Sequence, residues 1–144
     1  MKIPEYVTVA EVKRVCRELK IRDWTTMKGT KVLPKEAKTI LSIVNTQKMK
    51  VPLESFRKGL EVELEHGTMY KDVNVTNNHP LLTGMIVLAH LKETMDYYQR
   101  LDVAELEGDL LKAVIAKNPE KIRNYIKRLF DAKVILSKTE SGQL

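Results

Sequence analysis

The chain has 144 residues, 43% of them apolar and 31% charged, with a formal net charge of +6 at pH 7. That length suits one domain with a single core, and no apolar run reaches the roughly 18 residues that cross a bilayer. The one cysteine, Cys16, excludes a disulfide framework.

The opening MKIPEYVTVAEV places Pro4 and Glu5 where a secretory signal needs an unbroken apolar run, so the expected location is cytoplasmic. Thr8 and Glu11 have capping-box spacing for a first helix, on which Val9, Val12, Val15, Cys16 and Leu19 recur at helical intervals. Cys16 belongs to that apolar side, and its expected role is packing. Ile21 to Lys31 reads as a loop. Pro34 opens a second helix with the stripe Ala37, Ile40, Leu41 and Val44, and Pro52 opens a third carrying Phe56, Leu60 and Leu64, with Gly67 as its expected stop. Gly67 to Pro80 is long, rich in Asn and Thr, and expected to hold a short extended piece at Val73 to Val75; loops of this length are uncommon unless functional. A long fourth helix is expected from Leu81 to Leu101, sending Tyr97 into the core and Tyr98 to its flank. Asp102 and Glu105 are expected to cap a fifth. Asn118 and Pro119 then break the chain before a last helix with the buried stripe Ile122, Tyr125, Ile126, Leu129, Phe130 and Val134. The expectation is an all-α fold: one domain, 1–144, forming an irregular bundle of five to six helices.

The stretch VELEHG sets Glu63, Glu65 and His66 side by side. Glu63 and His66 are three residues apart, one turn of helix, and His90 and Glu93 in AHLKE repeat the spacing in reverse order. Two helices packed antiparallel would aim both pairs at one point. Helix-bundle metal sites use Glu-x-x-His in this way, and two imidazoles with two carboxylates suit zinc, iron or manganese. Glu63, His66, His90 and Glu93 are therefore the candidate metal ligands. Helical phase centres His90 in the apolar stripe of the fourth helix, so burial is expected. The alternative is a structural polar network in which Glu63 satisfies His90 and His66 caps the helix end.

The positive charge is concentrated in residues 1–50, which hold twelve Lys or Arg against five acids. A basic region of this kind holds nucleic acid or serves as a solvated surface. Lys28, Lys31, Lys35 and Lys38 are the candidate nucleic-acid contacts. There is no glycine-rich phosphate loop, nucleophile elbow or zinc ribbon.

FRKGLEVELEHG, followed by NVTNNHPLLTGMIVLAHLKETMDYYQRL, resembles a family of uncharacterised bacterial and phage-associated proteins, classed as a domain of unknown function. The resemblance rests on Gly59, Val62, Glu63, Glu65 and His66, then Ala89, His90, Leu91, Glu93, Asp96, Tyr97 and Tyr98. It implies that VELEHG and AHLKE belong together, with 5–24 and 52–101 as the family core, 25–51 as a basic insertion and 102–137 as a C-terminal helical hairpin. In the loop, Asn78 and His79 stand where relatives frequently carry acids. The resemblance brings no established activity. The functional expectation is a binding or accessory protein with a Glu/His centre that holds a divalent metal or is structural. The alternatives are a metal-dependent hydrolase, with Glu65 or Asp96 as base, and a nucleic-acid-binding protein. The expected partner is a protein or a second copy, with no membrane.

Overall fold

The computed structural model describes residues 5–143. Among them are six α-helices: α1 Val9–Glu18, α2 Pro34–Val44, α3 Leu53–Met69, α4 Pro80–Glu93, α5 Tyr97–Ile115 and α6 Pro119–Ser141. Single 3-10 turns stand at Trp24–Thr26 and Lys71–Val73, and no strand occurs among the described residues. The all-α class expected from the periodicity is the observed one. The chain divides into two compact units, Met1–Glu93 and Thr94–Leu144.

In the first unit the expected caps are largely in place. The Thr8 hydroxyl accepts the Glu11 amide at 3.2 Å, while the Glu11 carboxylate turns to Arg14 instead of answering Thr8. Pro34 is the first residue of α2, whereas Pro52 stands one residue ahead of α3. Helices α2, α3 and α4 pack on one another, and α1 packs on α4 and on the turn that carries Trp24. Val12, Trp24, Val32, Ile40, Phe56, Leu60 and Val87 are fully buried there. At Gly84 a Cβ would stand 2.6 Å from an Ile40 methyl and 3.3 Å from the Phe56 ring, so α4 meets α2 and α3 where it has no side chain.

Residues 21–33 are fastened by one buried carboxylate. Glu36 accepts both the Arg22 amide at 3.1 Å and the Leu33 amide at 2.9 Å. The Arg22 guanidinium grips it with two further bonds, at 2.9 and 2.6 Å. Burial alone would raise the pKa of Glu36, but the guanidinium and the two amides outweigh it and hold the carboxyl below its ordinary 4.5. On α3, Glu61 serves the same segment, accepting the Val32 amide at 3.0 Å and Arg57 at 2.6 Å.

Three expectations about helix limits are corrected. Helix α3 does not stop at Gly67 but runs to Met69, and Val73 closes a 3-10 turn where an extended piece was expected. The long helix from Leu81 to Leu101 is instead two, α4 ending at Glu93 and α5 beginning at Tyr97. Thr94 and Asp96 bond to each other through their side chains, the local pairing with which such residues compete against a continuous helix. The break resets the phase, so Tyr98 is buried and Tyr97 only half-buried, the reverse of the expectation. Asp102 and Glu105 accordingly lie inside α5 and cap nothing.

In the second unit α5 and α6 form an antiparallel hairpin around the loop 116–118. The Asn118 side chain accepts the Lys121 amide at 3.0 Å ahead of Pro119. Arg100 of α5 bridges Glu140 of α6 at 2.8 Å, and Glu107 bridges Lys133 at 2.8 Å. Asp96, fully buried, accepts from two of the three guanidinium nitrogens of Arg100 at 3.0 and 2.9 Å, and these bonds hold its carboxyl below the ordinary range. The stripe expected to be buried on α6 is only partly so. Ala132 is buried and Ile122, Tyr125 and Leu129 are half-buried, but Ile126, Phe130 and Val134 are exposed. Two helices share one narrow seam, and that stripe is wider than the seam.

Candidate functional site: a paired Glu and His, and a basic cleft

Glu63 reaches His90 from α3 to α4. His90 Nδ1 stands 3.1 Å from Glu63 Oε1, and the two side chains are 27% and 16% exposed. A carboxylate that accepts from one ring nitrogen fixes the tautomer and orientation of an imidazole. His90 is not centred in the apolar stripe as its phase suggested. The buried residues of α4, Thr83, Gly84, Val87, Leu88 and Leu91, centre about 90° around the helix from it. His66 and Glu93 lie a further 60° or so from their neighbours toward water, and both are exposed, as is Glu65. The structure thus brings Glu63 and His90 together and leaves His66 and Glu93 apart from them. Among the described residues, no group of three or more His, Cys, Asp or Glu side chains is set to hold a metal ion.

The third histidine has a local task. His79 is buried, and its Nδ1 accepts the Leu82 amide at 3.3 Å in the first turn of α4. Burial is the main cause that lowers its pKa from 6.5, with Glu11 pulling the other way. The bond requires the neutral imidazole, because a protonated ring has no acceptor.

A larger feature lies where the loop 70–79 folds back on the end of α3. Gly67 makes this possible: a Cβ there would sit 2.2 Å from Asn78 Oδ1 and 2.9 Å from Asn74 Nδ2. Asn74 Nδ2 donates to the Gly67 carbonyl at 3.0 Å and to Asn78 Oδ1 at 2.9 Å. Asn77 and Asn78 take left-handed backbone, φ 48° and 60°, a region that Asn enters more readily than most residues. Asn77 Nδ2 also donates to the Val7 carbonyl at 2.6 Å, tying the loop to the approach to α1.

Between this loop, the end of α3, Val9 and residues 25–28 opens a cleft of about 590 Å³. Lys28 and Lys71 line it, with the side chains of Asn74, Asn77 and Asn78 and of Thr25, Thr26 and Thr68; no lining residue is an acid. Two ammonium groups line the cleft and no carboxylate does, Glu5 standing outside the lining where it accepts Asn77 Nδ2 at 3.1 Å, and the amides and hydroxyls supply directional hydrogen bonds. Chemically, that is a receptor for a small anion bearing polar groups. The length and composition of the loop signal it in the sequence, but the opposite wall, Thr25 to Lys28, is separated in sequence and carries no such mark. Of the four candidate nucleic-acid lysines, Lys28 enters the cleft and all four, Lys28, Lys31, Lys35 and Lys38, are exposed.

No curated protein and no solved structure matches the chain. Residues 12–107, about two thirds of its length, match the family described as protein of unknown function (DUF5661). The chain belongs to that family.

Proposed function

We propose that this member of DUF5661 is a binding protein and that its ligand is a small anionic molecule held in the cleft of the first unit. The lining carries the reading: Lys28 and Lys71 with amides and hydroxyls around them and no acid. A volume of about 590 Å³ falls within the usual range for small-molecule sites and accommodates a ligand the size of a sugar phosphate. The ammonium groups select the phosphate as point charges, and Asn74, Asn78 and Thr68 address hydroxyls. The test is thermal denaturation with glucose 6-phosphate, inorganic phosphate and glucose. Glucose 6-phosphate is expected to raise Tm by a few degrees when present well above its Kd. Glucose should leave Tm unchanged, and Lys28→Ala with Lys71→Ala should abolish the shift. No shift with either phosphate, or a shift that survives the double substitution, overturns the reading.

A second reading attaches to Glu63 and His90, whose 3.1 Å approach supports it. The pair supplies two donors to a divalent metal, zinc, iron or manganese, and His66 and Glu93 complete the set by rotating in from the surface. The family match covers both VELEHG and AHLKE, which supports treating the two stretches as one unit. Hydrolysis by a metal-bound water depends on that metal. Elemental analysis of the purified protein decides: stoichiometric metal that disappears in His90→Ala supports this reading, and metal-free protein that takes up none on titration rejects it.

A further inference from the structure

His79 stands behind the cleft, where the asparagine wall meets α4, and is not itself part of the lining. Its carbonyl accepts the Thr83 amide at 2.9 Å and its Nδ1 accepts the Leu82 amide at 3.3 Å, so backbone and ring both bind the first turn of α4. Its own amide donates to the Thr76 carbonyl at 2.9 Å, which ties that turn back to the loop. The two residues before it, Asn77 and Asn78, are the left-handed ones, a conformation that persists only where the surroundings impose it. Three anchors impose it here. Asn78 is fixed through Asn74 to the Gly67 carbonyl, Asn77 is fixed to the Val7 carbonyl, and the chain that follows is fixed by His79.

We propose that His79 is a proton-operated latch on the cleft: the neutral ring holds the Asn74 to Asn78 wall in its anion-binding shape, and the imidazolium releases it. The effect on a ligand rests on the anion reading of the cleft, whereas the movement of the wall does not. Three features make a protonated ring incompatible with its seat. An imidazolium has no acceptor, so Nδ1–H would meet the Leu82 N–H, donor against donor. The N-terminal end of α4 carries partial positive charge and repels a cation. His79 is also buried, so little water solvates an added charge. Glu11 and Arg14 of α1 are the charged groups that act on the ring, in opposite senses. They pair with each other and stay charged in mildly acid solution, and Glu5 reaches Asn77 rather than the ring. The sign separates a latch from plain electrostatics. Lys28 and Lys71 stay cationic throughout, and one more positive charge beside the cleft would by itself strengthen anion binding. A latch has the opposite effect: affinity falls as the ring takes up its proton, because the binding-competent fraction falls.

Calorimetric titration with glucose 6-phosphate at about pH 7.5 and about pH 5 tests this, on the full chain and on His79→Asn, which keeps an acceptor for the Leu82 amide. The titration of the ligand's own phosphate is common to both proteins and cancels in the ratio of their Kd values. In going to the lower pH, that ratio, wild type over His79→Asn, should rise by about threefold or more. In the ligand-free wild type, the side-chain amide NMR signals of Asn74 and Asn78 should move with the midpoint of the His79 ring, which lies below 6.5. A ratio that stays flat or falls at low pH overturns the latch, as do amide signals that stay still while the ring titrates. If neither protein binds at either pH, the anion reading of the cleft fails by itself, and the amide signals still decide the latch.

Discussion

Glu36 and His79 show how much of this fold depends on single side chains that are invisible to hydrophobic periodicity. Glu36 takes four hydrogen bonds from Arg22 and Leu33. Glu36→Gln keeps the shape but removes the charge, and chemical denaturation should report a loss of about 1–3 kcal/mol. The loss is smaller than for a fully buried pair, because Arg22 is 43% exposed and finds water. For His79 the sign follows from its lowered pKa. As pH falls, the unfolded chain takes up the proton before the folded one. The stability that His79 contributes is therefore complete above pH 6.5 and declines below it. Melting temperatures measured from about pH 7.5 down to 5 should fall in that window, and His79→Asn, which still caps α4, should remove that component. The pairing of Glu63 with His90 was legible in the sequence, because one turn of helix fixes where Glu-x-x-His can point. The positions of His66 and Glu93 were not, since the third and fourth helices end sooner or later than their apolar runs suggest and the stripe centre shifts with them.

At the scale of the helix, two glycines mark contact, whereas Gly108 inside α5 faces open space. Gly67 and Gly84 both lie inside helices, where the residue is normally a cost, and at both an added Cβ would collide with a neighbouring segment. Gly84→Ala should destabilise the first unit by about 1–3 kcal/mol, because Ile40 and Phe56 must move. Gly67→Ala should act differently: it displaces Asn74 and Asn78, so loss of cleft binding should exceed loss of stability. Comparing Tm with the glucose 6-phosphate response of the two variants checks the contrast. Helix identity was legible from caps and prolines, as at Thr8, Pro34 and Asn118. Helix length was not. Nothing in the apolar pattern of Leu81 to Leu101 shows that Thr94 and Asp96 will bond to each other and end a helix, and Gly67 looked like a stop when its role is close approach. The exposure of Phe130 escaped the pattern too, for periodicity identifies an apolar face without saying whether the same chain covers it.

For the whole molecule, charge is the property that composition states most plainly, +6 with a sequence pI near 9.4. If Lys28, Lys31, Lys35 and Lys38 hold a nucleic acid, each phosphate contact adds about one to the slope of log affinity against log salt. Anisotropy with a labelled single-stranded and a labelled duplex oligonucleotide should then show affinity lost between about 50 and 200 mM salt, by a factor of about 10² for four contacts. Changing Lys31, Lys35 and Lys38 to Ala should flatten that slope, and a flat slope in the wild type removes this alternative. No helix among the described residues is long and apolar enough to cross a membrane. The family match begins in α1 and ends inside α5, so its segment contains all of the first unit's helices except the start of α1.

The only tryptophan, Trp24, is fully buried in the first unit, and the hairpin contains none. Indole emission is thus a private reporter of residues 1–93, and backbone ellipticity reports every helix. Recording both through one denaturant titration assigns each transition to its half of the chain without cutting the chain or attaching a label.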